Sequence, residues 1–261
     1  MTTTTLSTRV NAADVELKVK DMYTRVALNP EGRFHFEMGR AMARRIGYTD
    51  TELDGAPDEA VESFAGVGYY FDLADLRPGE DVVDLGSGSG MDSFIAAHKV
   101  GRGGHVTGID MTDAQLAKAE RLRHEPTFGA VRFRKAFIDA TGLPGASCDA
   151  VISNGVINLS PDKLAVFREA ARLLRPGGRL AIADIVTDMR LPEDVTCNAT
   201  LWAACIGGAM QRDACVEAIE QAGFTVTAMK ANHEYRFLSK SAQGATRTYG
   251  VRSVSLLAVK N

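Results

Sequence analysis

Asp81-Val-Val-Asp84-Leu-Gly86-Ser-Gly88-Ser-Gly90 reads as a short apolar strand running into a turn with three glycines in five residues. A helical pattern begins at Met91. Glycine at 86, 88 and 90 removes Cβ atoms where the backbone turns sharply and approaches a ligand. The helix start behind the turn offers free N–H groups. Strand, glycine turn and helix together predict a nucleotide-type site at the carboxyl edge of a parallel sheet.

The spacing narrows the ligand. A dinucleotide fingerprint is G-x-G-x-x-G, whose last position here is Met91, so that match fails. The turn is instead G-x-G-x-G preceded by Asp84, and the next apolar strand, His105 to Asp110, ends on a second carboxylate. A carboxylate at a strand end accepts hydrogen bonds from ribose hydroxyls. Asp84 at the mouth of the first strand repels a pyrophosphate and suits a cation. S-adenosylmethionine carries a sulfonium, an ammonium and a ribose but no phosphate, which favours methyl transfer over hydride transfer.

DLGSGSGMDSFIAA, then HVTGIDMT and LLRPGGRLAIADI, resemble the class I S-adenosylmethionine-dependent methyltransferases. The match covers roughly 76–186. GIDMTDAQL, SNGVINLSPDK and CIGGAM are similar, more narrowly, to the arsenite methyltransferases. The resemblance implies a Rossmann-like α/β fold: a seven-stranded, mostly parallel sheet with helices on both faces and one antiparallel member. It also implies a soluble enzyme acting on a small-molecule acceptor, with S-adenosylmethionine as cofactor.

Composition agrees with that class. The chain has 261 residues, 45% hydrophobic and 24% charged, with a net charge of −3. Those proportions are ordinary for a globular protein, and the charge supplies no basic field for nucleic acid or a membrane surface. The start, MTTTTLSTRV, lacks the apolar core of a secretory signal. Four scattered cysteines without a C-x-x-C pair predict a reduced, cytoplasmic setting and no metal site.

Three regions are expected. Residues 1–75 form a helical appendage, with amphipathic patterns over 11–28 and 34–46, a loop over 48–56 and an interrupted helix over 58–76. In this family such an appendage is a lid over the cofactor; the alternative is packing on one sheet edge. Residues 76–190 form the cofactor-binding core. It has helices over 113–124, with Thr112 as N-cap, and over 162–174, with Ser160 as cap and Pro161 at its first position. Residues 191–261 add helices over 193–206 and 211–222 and two strands, 224–230 and 251–260, that complete the sheet.

Asp84, Gly86, Ser87, Gly88 and Gly90 are expected to hold the methionine portion, and Asp110 the ribose. Met111 packs on an adenine face. Carried over from the family pattern, Ile138 and Asp139 contact the adenine, and Ser153 and Asn154 end the fourth strand beside the sulfonium. A soft acceptor such as sulfur or trivalent arsenic needs orientation and no strong base; oxygen or nitrogen needs proton removal.

The resemblance implies arsenic held on thiolates, soft ligands for a soft centre. Cys205, in CIGGAM, occupies the family's cysteine position. Glycine stands at Gly155 where a second thiol is expected, and Ala65 to Tyr69 lack the upstream cysteine. Cys197 is the candidate substitute, although on one straight helix it lies ~12 Å from Cys205. A thiol cosubstrate such as glutathione is the other source of sulfur. His35, between Phe34 and Phe36, is the candidate base. Tyr69, Tyr70 and Trp202 either line an acceptor pocket or pack in the core. Two further readings stand beside arsenic: a carbon, oxygen or nitrogen acceptor from a biosynthetic pathway, and a non-catalytic cofactor-binding sensor or scaffold.

Overall fold

In the computed structural model, which describes residues 10–124, 128–197, 202 and 206–261, the organising strand is β1 (Asp81–Leu85). Its apolar side chains are buried on both faces, so it occupies the middle of the sheet. Around it lie β2 (His105–Asp110), β3 (Val131–Lys135), β4 (Cys148–Asn154) and β5 (Leu174–Thr187), then β6 (Met210–Gln211), β7 (Phe224–Ala231) and β8 (Arg252–Lys260). The spatial order is β3-β2-β1-β4-β5-β8-β7, with the two-residue β6 against the end of β5. β1 pairs in parallel with β2 and β4, while β8 runs antiparallel between β5 and β7. This is the seven-stranded sheet with one reversed member, and the order turns at β1 and β4, where such sheets bind ligands.

Helices α6 (Met91–Val100), α7 (Asp113–Arg123) and α8 (Lys163–Leu173) supply the crossovers. Two apolar clusters form the core. One unites Phe94, Val106, Ile152 and Ala183 with the first helices. The other unites Leu85, Ile109, Phe167 and Leu256. Asp162 caps α8, accepting from Ala165 N at 3.0 Å, so Ser160 and Pro161 stay outside the helix. Thr112 sits at the N-cap of α7, but its hydroxyl makes no capping bond.

The N-terminal region is more broken than its periodicity suggested. α1 (Ala12–Leu28) matches expectation, capped by Asn11. α2 is confined to Gly39–Ile46, leaving the aromatic run 34–36 outside it. The acidic segment holds α3 (Asp50–Asp54), started by a capping box between Thr49 and Glu52. α4 (Asp58–Glu62) and α5 (Phe71–Ala74) replace the interrupted helix. Past β5, α9 covers Glu193–Thr196 and α10 covers Arg212–Gln221. The polar stretch before β8 contains α11 (Lys240–Tyr249), capped by Ser239.

Candidate active site

The carboxyl ends of β1, β2 and β4 open onto a cavity of about 360 Å³. Val15, Glu16, Val19 and Tyr23 of α1 form one wall, residues 63–66 another, and residues 136–139 a third. The glycine turn forms the floor. Gly86 has φ +79°, and a Cβ there would lie 2.4 Å from Val156 Cγ2, so only glycine fits. Much of the turn's hydrogen bonding is internal: Gly86 and Ser87 N–H donate to Ile109 O, and Gly88 N–H donates to Asp110 Oδ2 at 3.0 Å. The other Asp110 oxygen accepts from Thr112 N at 2.8 Å. Asp110 therefore shapes the turn while presenting a carboxylate to the cavity.

Most cofactor residues expected from sequence converge here. Asp84, Gly86, Ser87, Gly88, Asp110, Met111, Ile138, Asp139 and Asn154 all line the cavity. Gly90 lies beneath it, at the N-cap of α6, against Phe94 and Phe133. Ser153 is turned away; its hydroxyl donates to Leu85 O at 2.7 Å and ties β4 to β1.

The acceptor candidates are dispersed. Tyr70 is fully buried and donates to Asp92 Oδ2 at 2.7 Å; Tyr69 donates to Glu52 Oε1 at 2.8 Å. Trp202 is buried, its indole N–H donating to Thr196 O at 2.6 Å with the Lys163 ammonium 4.4 Å over its ring. These three aromatics take the packing role. His35 stands edge-on to Phe36 at 4.7 Å, outside the cavity lining. Cys197 is half-buried at the end of α9, also away from the lining. Cys205 lies outside the described residues. Burial pushes the thiols of Cys148 and Cys215 up to about 12, which leaves both unreactive.

Asp92, in the first turn of α6, was missed by sequence reasoning. It is buried, lines the cavity, and accepts from Tyr48 Oη at 2.7 Å, Tyr70 Oη at 2.7 Å and Asn154 Nδ2 at 3.1 Å. Burial raises it to about 6 against the lowering effect of those donors. Asp84 has one side-chain donor, Ser93 Oγ at 2.6 Å, and burial together with the charge of Asp92 pushes it up to about 8. Asp110 is raised too, by burial, although backbone donors oppose the shift.

The sign of the cavity is consistent throughout. Glu16, Asp84, Asp92, Asp110 and Asp139 line it, and no Lys, Arg or His does among the described residues. A phosphate is repelled by such a wall, whereas a cationic nucleoside matches it. Sheet order, glycine turn and acidic cavity together define a class I S-adenosylmethionine site.

Residues 76–235 match the family described as a methyltransferase domain, and the chain belongs to that family of S-adenosylmethionine-dependent methyltransferases. It is 38% identical over 182 residues to an arsenite methyltransferase of Halobacterium salinarum, covering 70% of this chain and 46% of that protein. The chain spans about half the length of the curated relatives it matches. An arsenic (III) S-adenosylmethionine methyltransferase from Chlamydomonas reinhardtii superimposes with a TM-score of 0.64 at 30% identity, covering 86% of this chain and 74% of that one. A geranyl diphosphate C-methyltransferase from Streptomyces coelicolor, solved with S-adenosyl-L-homocysteine, gives a TM-score of 0.68. It is 17% identical, covering 95% of this chain and 98% of that one, and shares the fold alone.

Proposed function

We propose that this protein transfers a methyl group from S-adenosylmethionine to a small-molecule acceptor, with trivalent arsenic the first acceptor to test. The observation that carries the methyl-transfer reading is the uniformly acidic cavity at the ends of β1, β2 and β4. S-adenosylmethionine, when bound, supplies an electrophilic methyl on a positively charged sulfur.

The chain's own residues have binding and orienting roles. Asp84 and the glycine turn meet the methionine portion, Asp110 the ribose, and Met111, Ile138 and Asp139 the adenine. Glu16 and its neighbours on α1 close the cavity from above, so the helical region from residue 10 to 75 acts as a cover. α1 is tied down by Gln115 Nε2, which donates to Tyr23 O at 3.0 Å, and by Lys118 Nζ, which donates to Ala27 O at 3.4 Å. The titratable groups of the described lining are carboxylates, with no His or Lys among them, and a soft nucleophile needs orientation there and no base at all. Trivalent arsenic bound by thiolates is such a nucleophile. Cys205 and a thiol cosubstrate such as glutathione are the proposed sulfur ligands, with Cys197 the intramolecular alternative.

One observation favours a second reading, a small organic acceptor. Where the resemblance calls for a thiol, Gly155 packs against buried Val67, from the segment that also lacks the upstream cysteine. The test is incubation with labelled S-adenosylmethionine, arsenite and glutathione, comparing the native chain with Cys205→Ser. Cysteine-dependent methylarsenical supports the arsenic reading; cofactor binding without arsenic product moves the assignment to an organic acceptor.

A further inference from the structure

Three carboxylates of the cavity, Asp84 and Asp110 at strand ends and Asp92 in the first turn of α6, differ in how they are held. Asp110 is shared between the turn and α7 through backbone N–H groups. Asp84 has one side-chain donor and retains its proton most readily, near 8. Asp92 has three donors, two of them hydroxyls that reach it from 44 and 22 residues away in sequence. Neutral tyrosines that donate to a carboxylate stabilise its charged form. Burial around Tyr48 and Tyr70, and the neighbouring Asp92 charge, keep both phenols protonated.

Asn154 locks the arrangement from the other side. Its Nδ2 donates to Asp92 Oδ2, Tyr48 Oη and Gly68 O, and its Oδ1 accepts from Val67 N at 2.8 Å. The carboxylate is therefore a fixed negative charge between the glycine turn and the end of β4, with no cation among the described cavity residues to neutralise it.

We propose that Asp92 reads the charge of the methyl donor, favouring a sulfonium over the neutral thioether that remains after transfer. This rests on the cofactor reading of the cavity. In transfer the acceptor's lone pair forms the new bond to the methyl carbon, and the carbon–sulfur pair returns to sulfur, which becomes neutral. A fixed anion loses its attraction at that moment, so spent cofactor is held less tightly than fresh donor. Asp92 thus sets donor-over-product selectivity and assists release.

The test is calorimetric affinity for S-adenosylmethionine and S-adenosylhomocysteine at neutral pH, using the full chain, Asp92→Asn and Tyr70→Phe. Asp92→Asn is expected to cut the ratio of the two affinities about tenfold or more, with S-adenosylhomocysteine affinity held within about threefold. Tyr70→Phe removes one donor, draws a proton toward the carboxylate and moves the ratio the same way by a smaller factor. It also decides the matter if Asp92→Asn does not fold. Equal loss of both ligands would mark Asp92 as scaffold only, and an unchanged ratio would place the charge reading elsewhere; either overturns the proposal. Failure of the native chain to bind either ligand would overturn the cofactor reading itself.

Discussion

Gly155 and Val67 face one another at the end of β4: a Cβ built on Gly155 stands 3.1 Å from Val67 Cγ1, and Gly155 has φ +72°. Gly155 N–H also donates to Ala183 O at 2.8 Å, fixing the backbone in that conformation. A side chain here meets left-handed strain and a tight apolar contact together. Gly155→Cys is expected to lose about 1–3 kcal/mol of stability. It should also bind no additional arsenite, because a side chain there is strained and pressed against Val67. Urea unfolding and arsenite stoichiometry check the two halves; an unchanged midpoint with one extra arsenite bound would refute both.

Asp110→Ala removes the acceptor for Gly88 N–H and Thr112 N–H along with the ribose partner. Loss of hydrogen bonds to a charged group costs about 1.5–3 kcal/mol each. Cofactor affinity should fall at least about tenfold, measured by calorimetry, while Asp139→Ala, exposed at the rim, falls much less.

pH acts on this cavity in two opposed ways. Asp84 keeps its proton to about 8 in the folded, ligand-free chain, whereas an unfolded aspartate loses it near ~3.9. Between those values the folded state binds more protons, so ligand-free stability falls as pH rises. Asp92, and Asp184, a buried residue of β5 outside the cavity lining, both about 6, act in the same direction over a narrower window. Affinity for a cationic cofactor instead rises with pH, since binding favours the ionised carboxylate. Melting temperature without cofactor should drop from pH 5 to 8.5, and binding near pH 7 should release a proton. Titration in buffers of different ionisation enthalpy reads the release, and Asp84→Asn should diminish both effects.

Gln115 joins the cover to the core. Its Oε1 accepts from Ser89 Oγ at 2.5 Å while its Nε2 donates to Tyr23 O. Gln115→Ala breaks both bonds, at a cost of about 1–3 kcal/mol in local stability. Hydrogen exchange across α1 should quicken and cofactor affinity should weaken, with β4 and β5 exchanging as before. Faster exchange throughout the sheet would instead mean that Gln115 supports the whole fold.

The sheet was legible because β1 and β4 are short, mostly buried apolar runs, β7 alternates, and glycine marks the turn after β1, while the cofactor positions follow from strand ends. Asp92 was not legible. In sequence it is simply an acid in the first turn of a helix, which the helix dipole already explains. Only folding brings Tyr48 and Tyr70 to it. The same distance effect left Tyr70 open between pocket wall and core; in the fold its hydroxyl is spent on Asp92. α11 escaped notice because Lys240 to Tyr249 is polar and contains Gly244, yet Ser239 caps it and Ala242 anchors it in the core. The short α3 was hidden in an acidic stretch for lack of apolar period; its capping box was the available signal.

Transfer of labelled methyl from S-adenosylmethionine into a low-molecular-weight product is the most direct measurement of the central claim. Purified native chain should transfer label to arsenite in glutathione, or to a small organic acceptor, and Asp110→Ala should lose most of that transfer. Native chain that binds no S-adenosylmethionine, or that binds it and transfers no label to arsenite or to a broad panel of small acceptors, would contradict the account.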